Sequence, residues 1–321
     1  MTLTPPELFP YPSFSPQMRV ADVCTAVLAV LYERMLYHEP GTRTGEDIEE
    51  LHDMRVSVRR QRVAVRVFTD YYLSESNWEI QMINNGLRIL GRALGQGRDL
   101  DILIDKFKLY LLELSPEKMQ EITKLNTIWK HYRDQAQVEM ISFLDSHFYH
   151  DLVSRYKDFL NKPQQMRTEQ VVSELPILIE QRLQALFDHE QAVETKVVHQ
   201  LHRLRIAFKR LRYVIEFFES VLGTEYENLI LQLKQIQDHL GDLNDAAFAT
   251  HYISTLLMDW DQVIHGIPTV EPEHKILMTA YLDVRQQELE MLMDTFPERW
   301  TIFLQSGFIE TLRQSAALEV F

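Results

Sequence analysis

Residues 51–68 read LHDMRVSVRRQRVAVRVF, and residues 201–218 read LHRLRIAFKRLRYVIEFF. On a helix, His52, Arg55, Arg59, Arg62 and Arg66 follow steps of three and four residues and form one stripe. The second segment repeats the stripe as His202, Arg205, Lys209 and Arg212, with Glu216 where the first has Arg66. Neighbours on such a stripe are about 5–6 Å apart, so each segment carries a row of cations. Like charges at this spacing repel by a few tenths of a kcal/mol per pair on an exposed helix. Building the row twice makes sense when an anion fills the gap. Arginine offers planar donor forks that match phosphate oxygens, lysine a point charge, and histidine a donor that switches with pH. Met54, Val58, Val65 and Phe68 lie mainly on another side of the first segment and are expected to face a core.

A second block follows in each half. Residues 87–99, LRILGRALGQGRD, match residues 233–245, LKQIQDHLGDLND. Arg88 pairs with Lys234, Gly95 with Gly241 and Asp99 with Asp245. Arg88 and Lys234 therefore extend the cationic wall. Arg92 shares a face with Arg88, but its counterpart is Asp238, a weaker match. Arg60 and Arg210 lie off the main stripe and are expected to be structural, pairing with Asp99 and Asp245. Gly95 and Gly241 are expected to end helices. Two blocks in the same order make the chain a tandem duplication, with its seam near 161–170.

His-x-x-Arg followed by Arg/Lys-Arg-x-Arg, then Leu-Gly-x-x-x-Asp, occurs twice and resembles the CHAD family, the conserved histidine α-helical domain. The resemblance covers roughly residues 17–320. It implies an all-α fold of two helical bundles related by a pseudo-twofold, with a basic central cavity that binds inorganic polyphosphate. The expected organisation is an extended Pro-rich arm at 1–16, a first bundle at 17–165 and a second at 166–321, together one domain. The polyphosphate-binding set is then His52, Arg55, Arg59, Arg62, Arg66, Arg88, His202, Arg205, Lys209, Arg212 and Lys234. Some members carry an added CYTH triphosphatase domain, marked by Glu-x-Glu-x-Lys; this chain has no such motif.

Other chemistries fit less well. His52 and His202 can be core histidines, metal ligands or anion contacts, and their place on the stripe favours the last. His52-Asp53 mimics the dipeptide of metal-dependent phosphohydrolases, but the second repeat has His202-Arg203. Arginines beside it would repel a divalent cation. No Walker loop, dinucleotide-binding glycine motif or nucleophile elbow occurs. A phosphoanhydride hydrolase would need a carboxylate cluster, and only Asp99, Asp101, Asp242 and Asp245 adjoin the motifs; all four are expected to be structural. A single-stranded nucleic-acid binder would want aromatic platforms beside the cations, and only Tyr213 lies on a motif. The expectation is a binding module, not an enzyme, with no metal and no cofactor.

Thirty-three basic and 47 acidic residues leave a net charge of −14 over 321 residues. A field of that sign disfavours duplex nucleic acid. One cysteine, Cys24, rules out an internal disulfide and suits a reducing compartment. No apolar run approaches the ~18 residues of a membrane span. Localisation is expected in the cytoplasm, with polyphosphate granules as an associated site.

The elements that carry these motifs read as helices throughout. Apolar residues recur at three- and four-residue steps, with no run of strand-like alternation. Helices are expected at 17–38, ended by Glu39-Pro40-Gly41, at 48–73 after an Asp47 cap, and at 76–94, followed by a turn at Gly95 and Gly97. Ser115-Pro116 opens a helix to 145, and another spans 151–160. Lys162-Pro163 is the expected linker. Further helices begin near residues 168, 176, 195, 225, 243, 271 and 298.

Overall fold

The computed structural model describes residues 9–317, except 115, 117–118, 120–122, 266 and 268–269. It is all-α: among the described residues there is no strand, only isolated bridges at Arg19–Gln170 and Tyr72–Met166. The first half runs α1 (Val20–Thr44), α2 (Ile48–Phe68), α3 (Ser74–Leu112), α4 (Asn126–Leu144) and α5 (His147–Asn161). The second runs α6 (Val171–Phe187), the short α7 (Gln191–Thr195), α8 (Val198–Phe217), the short α9 (Glu219–Leu222) and α10 (Tyr226–Met258). It ends with the short α11 (Trp260–Ile264), α12 (His274–Gln305) and α13 (Phe308–Ala316). None of the described helices is long and apolar enough to cross a membrane.

Local chemistry starts and stops these helices. The Asp47 side chain caps α2 by accepting from the Glu49 amide, and Glu49 and Glu50 place negative charge at its positive end. The Glu39-Pro40-Gly41 stop is not used. Pro40 lies inside α1, which continues a turn further to Thr44 and ends where Gly45 takes φ 67°, donating its amide to the Gly41 carbonyl.

The expected turn at Gly95 and Gly97 is likewise absent. Both lie inside α3, and Gly241 lies inside α10. A glycine costs a helix interior about 1 kcal/mol, which burial of a long flanking apolar face readily offsets. The starts expected near 176, 243 and 298 also fall inside helices. Part of the Ser115-Pro116 region lies outside the described residues, and the helix leading to Asp145 is α4.

With 39 residues, α3 is about 58 Å long. It threads two apolar cores. The larger holds Met54, Val58 and Phe68 of α2 together with Leu204, Phe208 and Phe217 of α8, so both halves contribute to one core. The smaller holds Leu100, Phe107, Trp129, Ile253 and Tyr281. On α3 the large core ends at Leu94 and the small one begins at Leu100; on α10 the change falls between Leu243 and Ala249. Between them is a polar belt: Arg98 and Asp99 on α3, Asn244 and Asp245 on α10. The ends of the two matched blocks, 87–99 and 233–245, form this belt.

The extended segment at 9–16 packs on the large core. Phe14 is buried and donates its amide to Ser220 at 2.8 Å, and the Phe9 carbonyl accepts from Arg34.

Candidate anion-binding cleft

Helices α2 and α8 pack against each other, and residues of their N-terminal halves line an opening together with the belt of α3 and α10. The opening is a cleft of about 880 Å³. His52, Arg55 and Arg59 line it from α2, and His202, Arg205 and Lys209 from α8. The belt adds Arg98, Asp99, Asn244 and Asp245. Five permanently or potentially charged cations, three histidines (His199 of α8 with His52 and His202) and two carboxylates therefore face one space. Six of the eleven residues expected from sequence meet there.

The other five do not line it. Arg62 and Arg66 lie further along α2, and Arg88 lies on α3 beside Gly91 rather than in the belt. Lys234 is exposed on α10. Arg212 is held elsewhere: its Nε donates to Glu216 at 2.7 Å and its Nη1 to Gln237 at 3.2 Å. The expected partners of Arg60 also change. Arg60 meets Glu216 at 2.8 Å, while Asp99 pairs with Arg55 at 2.8 Å. Arg210 forms no ion pair among the described residues. The helices α2 and α8 approach along their off-stripe faces, so Arg60 reaches a carboxylate of the opposite half instead of the belt.

Arg98 is the lining cation that the sequence comparison missed. Its counterpart is Asn244, so a search for charge matched in both halves passed over it. Its adjacency to the matched Asp99 was the available signal.

The cleft holds more positive charge than its own groups can balance. Burial first, then Arg59 and Arg205, push Lys209 down to about 6, against Asp245 acting in the opposite sense. Burial, followed by Arg98, pushes His52 down to about 4. Burial also lowers Arg205 and raises Asp245. The Nε atoms of Arg59, Arg98 and Arg205 are buried and have no hydrogen-bond partner. Across the cleft, Asn244 orients His202. Its amide nitrogen donates to Asp245 at 3.3 Å, so its oxygen accepts from His202 Nδ1 at 2.6 Å. That leaves Nε2 of His202 as an acceptor until it gains a proton.

The motif-adjacent carboxylates are engaged with cations or amides. Asp101 is buried against Arg133 at 2.6 Å, and Asp242 lies 3.2 Å from Lys106. Among the described residues, no group of three or more His, Cys, Asp and Glu side chains gathers as a metal site would. Phe248 is the one aromatic side chain in the lining, with its ring centroid 5.5 Å from that of Tyr252.

Comparison with known proteins gives a consistent picture. The sequence profile of the CHAD domain family matches residues 26–254. The CHAD domain from the plant Ricinus communis has a similar structure, with TM-score 0.67 and 19% identity over 97% of this chain and 96% of that one. PptA from Streptomyces chartreusis superposes with TM-score 0.68 and 14% identity, covering 89% of this chain and 100% of that one. At these identities the likeness concerns the fold. No curated protein sequence matches the chain.

Proposed function

The chain belongs to the CHAD family, and from that premise we propose that its cleft binds inorganic polyphosphate. The observation that carries this reading is the concentration of Arg55, Arg59, Arg98, Arg205 and Lys209 around a cleft with only two carboxylates, in a chain of net charge −14. Such a site is destabilised when empty, because buried like charges repel and buried N–H groups lack acceptors. A linear phosphate polymer relieves both. Each phosphate presents oxygens to the unpartnered arginine Nε groups, and its charge restores the proton on Lys209.

His202 contributes conditionally. With Nδ1 fixed on Asn244, a phosphate oxygen meets Nε2 only when that nitrogen is protonated. His52 and His202 would then act as pH-dependent donors, not as metal ligands. The two halves would act together, as two pseudo-twofold-related bundles enclosing one polymer. The role is binding without turnover, without metal and without cofactor. We place it in the cytoplasm, where polyphosphate granules offer the ligand. The acidic exterior would reject duplex nucleic acid and anionic membranes.

Phe248 supports a second reading, a single-stranded nucleic acid with one base stacked on that ring. Calorimetric titration with polyphosphate, competed by an RNA oligonucleotide, separates the two. The expected result is polyphosphate binding that RNA does not displace. Five cleft cations correspond to a salt slope near −0.7 × 5, about −3.5. A slope flatter than about −1 would mean the walls do not grip the ligand together. Orthophosphate release in the presence of Mg²⁺ would refute the non-enzymatic assignment.

A further inference from the structure

The arginine stripe of α2 continues beyond the cleft, and there the two halves part. Arg60 and Arg62 are two residues apart, so they lie about 200° apart around α2 and serve opposite flanks of the α2–α8 pair. On one flank, Arg60 and Arg212 share the buried carboxylate of Glu216, at 2.8 and 2.7 Å. Arg60 also lies over the Tyr213 ring, 5.3 Å from its centroid, and Tyr11 of the N-terminal segment covers Phe217 beside it. On that flank a buried carboxylate offsets part of the positive charge, and Tyr11 covers it.

At offset 150, the counterparts of Arg60, Arg212 and Glu216 are Arg210, Arg62 and Arg66. The opposite flank thus has an arginine in place of the shared carboxylate. Arg88 and Arg92 of α3 and Arg182 of α6 join it. Arg62 Nη1 lies 3.9 Å from where a Cβ on Gly91 would stand, so its guanidinium rests on the bare helix surface between Arg88 and Arg92. The Nε atoms of Arg62, Arg182 and Arg210 are buried without a hydrogen-bond partner. Among the described residues, no carboxylate forms an ion pair with any of the six; Asp70 acts on Arg182 only at longer range. Arg66, Arg88 and Arg92 are exposed, so the cluster opens to solvent. Burial and the charges of Arg66, Arg88, Arg210 and Arg92 weaken the hold of Arg62 on its proton.

We propose that this arginine cluster is a second seat for the polyanion, continuous with the cleft along α2 and present on one flank only. It rests on the cleft's binding polyphosphate. A short oligomer fills the cleft, whereas a long chain runs out over Arg62 and Arg66 and cannot leave by the Glu216 flank. The fold would then bind long chains more tightly than short ones, and in one direction of exit.

The Arg66→Glu variant tests this directly. It rebuilds on this flank the arrangement that Glu216 already makes on the other, so its folding is precedented within the same molecule. Titrations compare long-chain polyphosphate with tripolyphosphate. The expected result is a loss of about tenfold or more for the long chain, with the tripolyphosphate affinity held within about twofold. The long-chain salt slope should also flatten by about 2, for roughly three lost cations. The double variant R88Q/R92Q, on the exposed turns of α3, should act in the same direction. Unchanged long-chain affinity and slope in both variants, with binding abolished by Lys209→Glu, would overturn the second seat and leave the cleft standing. Equal losses for both chain lengths would also overturn it. Failure of the unmodified protein to bind either length would remove the cleft reading, and this inference with it.

Discussion

The two walls of the cleft differ in kind of charge. The α2–α3 wall presents Arg55, Arg59 and Arg98, all permanent cations, with Arg55 already tied to Asp99 at 2.8 Å. The α8–α10 wall presents Arg205 with Lys209, whose amine titrates near neutral pH, and with His202, beside Asn244 and Asp245. One wall supplies a fixed field. The opposing wall responds to it: Lys209 is pushed down to about 6 by burial and by Arg59 and Arg205. At matched positions of the two sequence segments the walls share His52/His202, Arg55/Arg205 and Asp99/Asp245, and their charge differs at Arg59/Lys209 and Arg98/Asn244.

Charge reversal breaks both walls and should give the largest effect. Arg59→Glu should weaken polyphosphate binding by about 3 kcal/mol, roughly 150-fold, and Lys209→Glu by a comparable amount, read by titration at low salt. If either wall tolerates reversal without loss, the walls do not share a ligand.

Next in size is stability. Lys209→Met removes a buried amine that burial, Arg59 and Arg205 make costly to charge, and should raise the unfolding free energy of the unliganded protein by about 1–3 kcal/mol while weakening binding. Denaturant melts with and without polyphosphate separate the two effects. A destabilised Met variant would mean that Lys209 is satisfied in the free protein.

The pH dependence sharpens the contrast between walls. A bound polyanion raises the Lys209 pKa above its free value of about 6, so binding takes up a proton. Affinity is then fullest below the free-state value and falls as pH rises through the bound-state value, by about tenfold per pH unit for each proton taken up. Lys209→Arg should flatten the profile, and His202→Gln should remove what remains. An unchanged profile in the double variant would assign the effect elsewhere.

The smallest effect is expected at Arg98. Burial and then Arg98 hold His52 at about 4, below the usual 6.5 of histidine. The unfolded chain thus binds the extra proton between those values, and this group's contribution to stability declines as pH falls from 6.5 toward 4. Arg98→Asn copies the other wall and should raise the His52 pKa by less than about one unit, because burial remains the larger cause. NMR titration of the ring would show it.

Much of this was legible in the sequence because its signal was local. Steps of three and four residues put His52, Arg55 and Arg59 on one face, and repetition at offset 150 singled out their partners. What escaped depended on distant packing. The partner of Arg60 comes from the opposite half of the chain, beyond the reach of periodicity. Arg212 looks like Arg62 on a helical wheel, yet Glu216 one turn away draws it off. Gly95 and Gly241 carry a turn signal, but an isolated segment does not reveal the apolar face that keeps α3 and α10 helical through them. Arg98 was hidden by the symmetry argument itself, since it matters where the halves differ.

The belt between the two apolar cores also bears on how the molecule opens. Among the described residues, the core around Phe107 and Trp129 and the one around Phe68 and Phe217 are separate apolar clusters, joined through helices that run through both and by polar contacts such as Lys106 with Asp242 at 3.2 Å. Cooperative unfolding follows continuous apolar packing, so the two cores should exchange their amide hydrogens as two units with different opening free energies. If the proposed polymer sits across the belt, it would hold α2, α3, α8 and α10 at once. Its binding should then slow exchange in the smaller core, although no residue of that core lines the cleft.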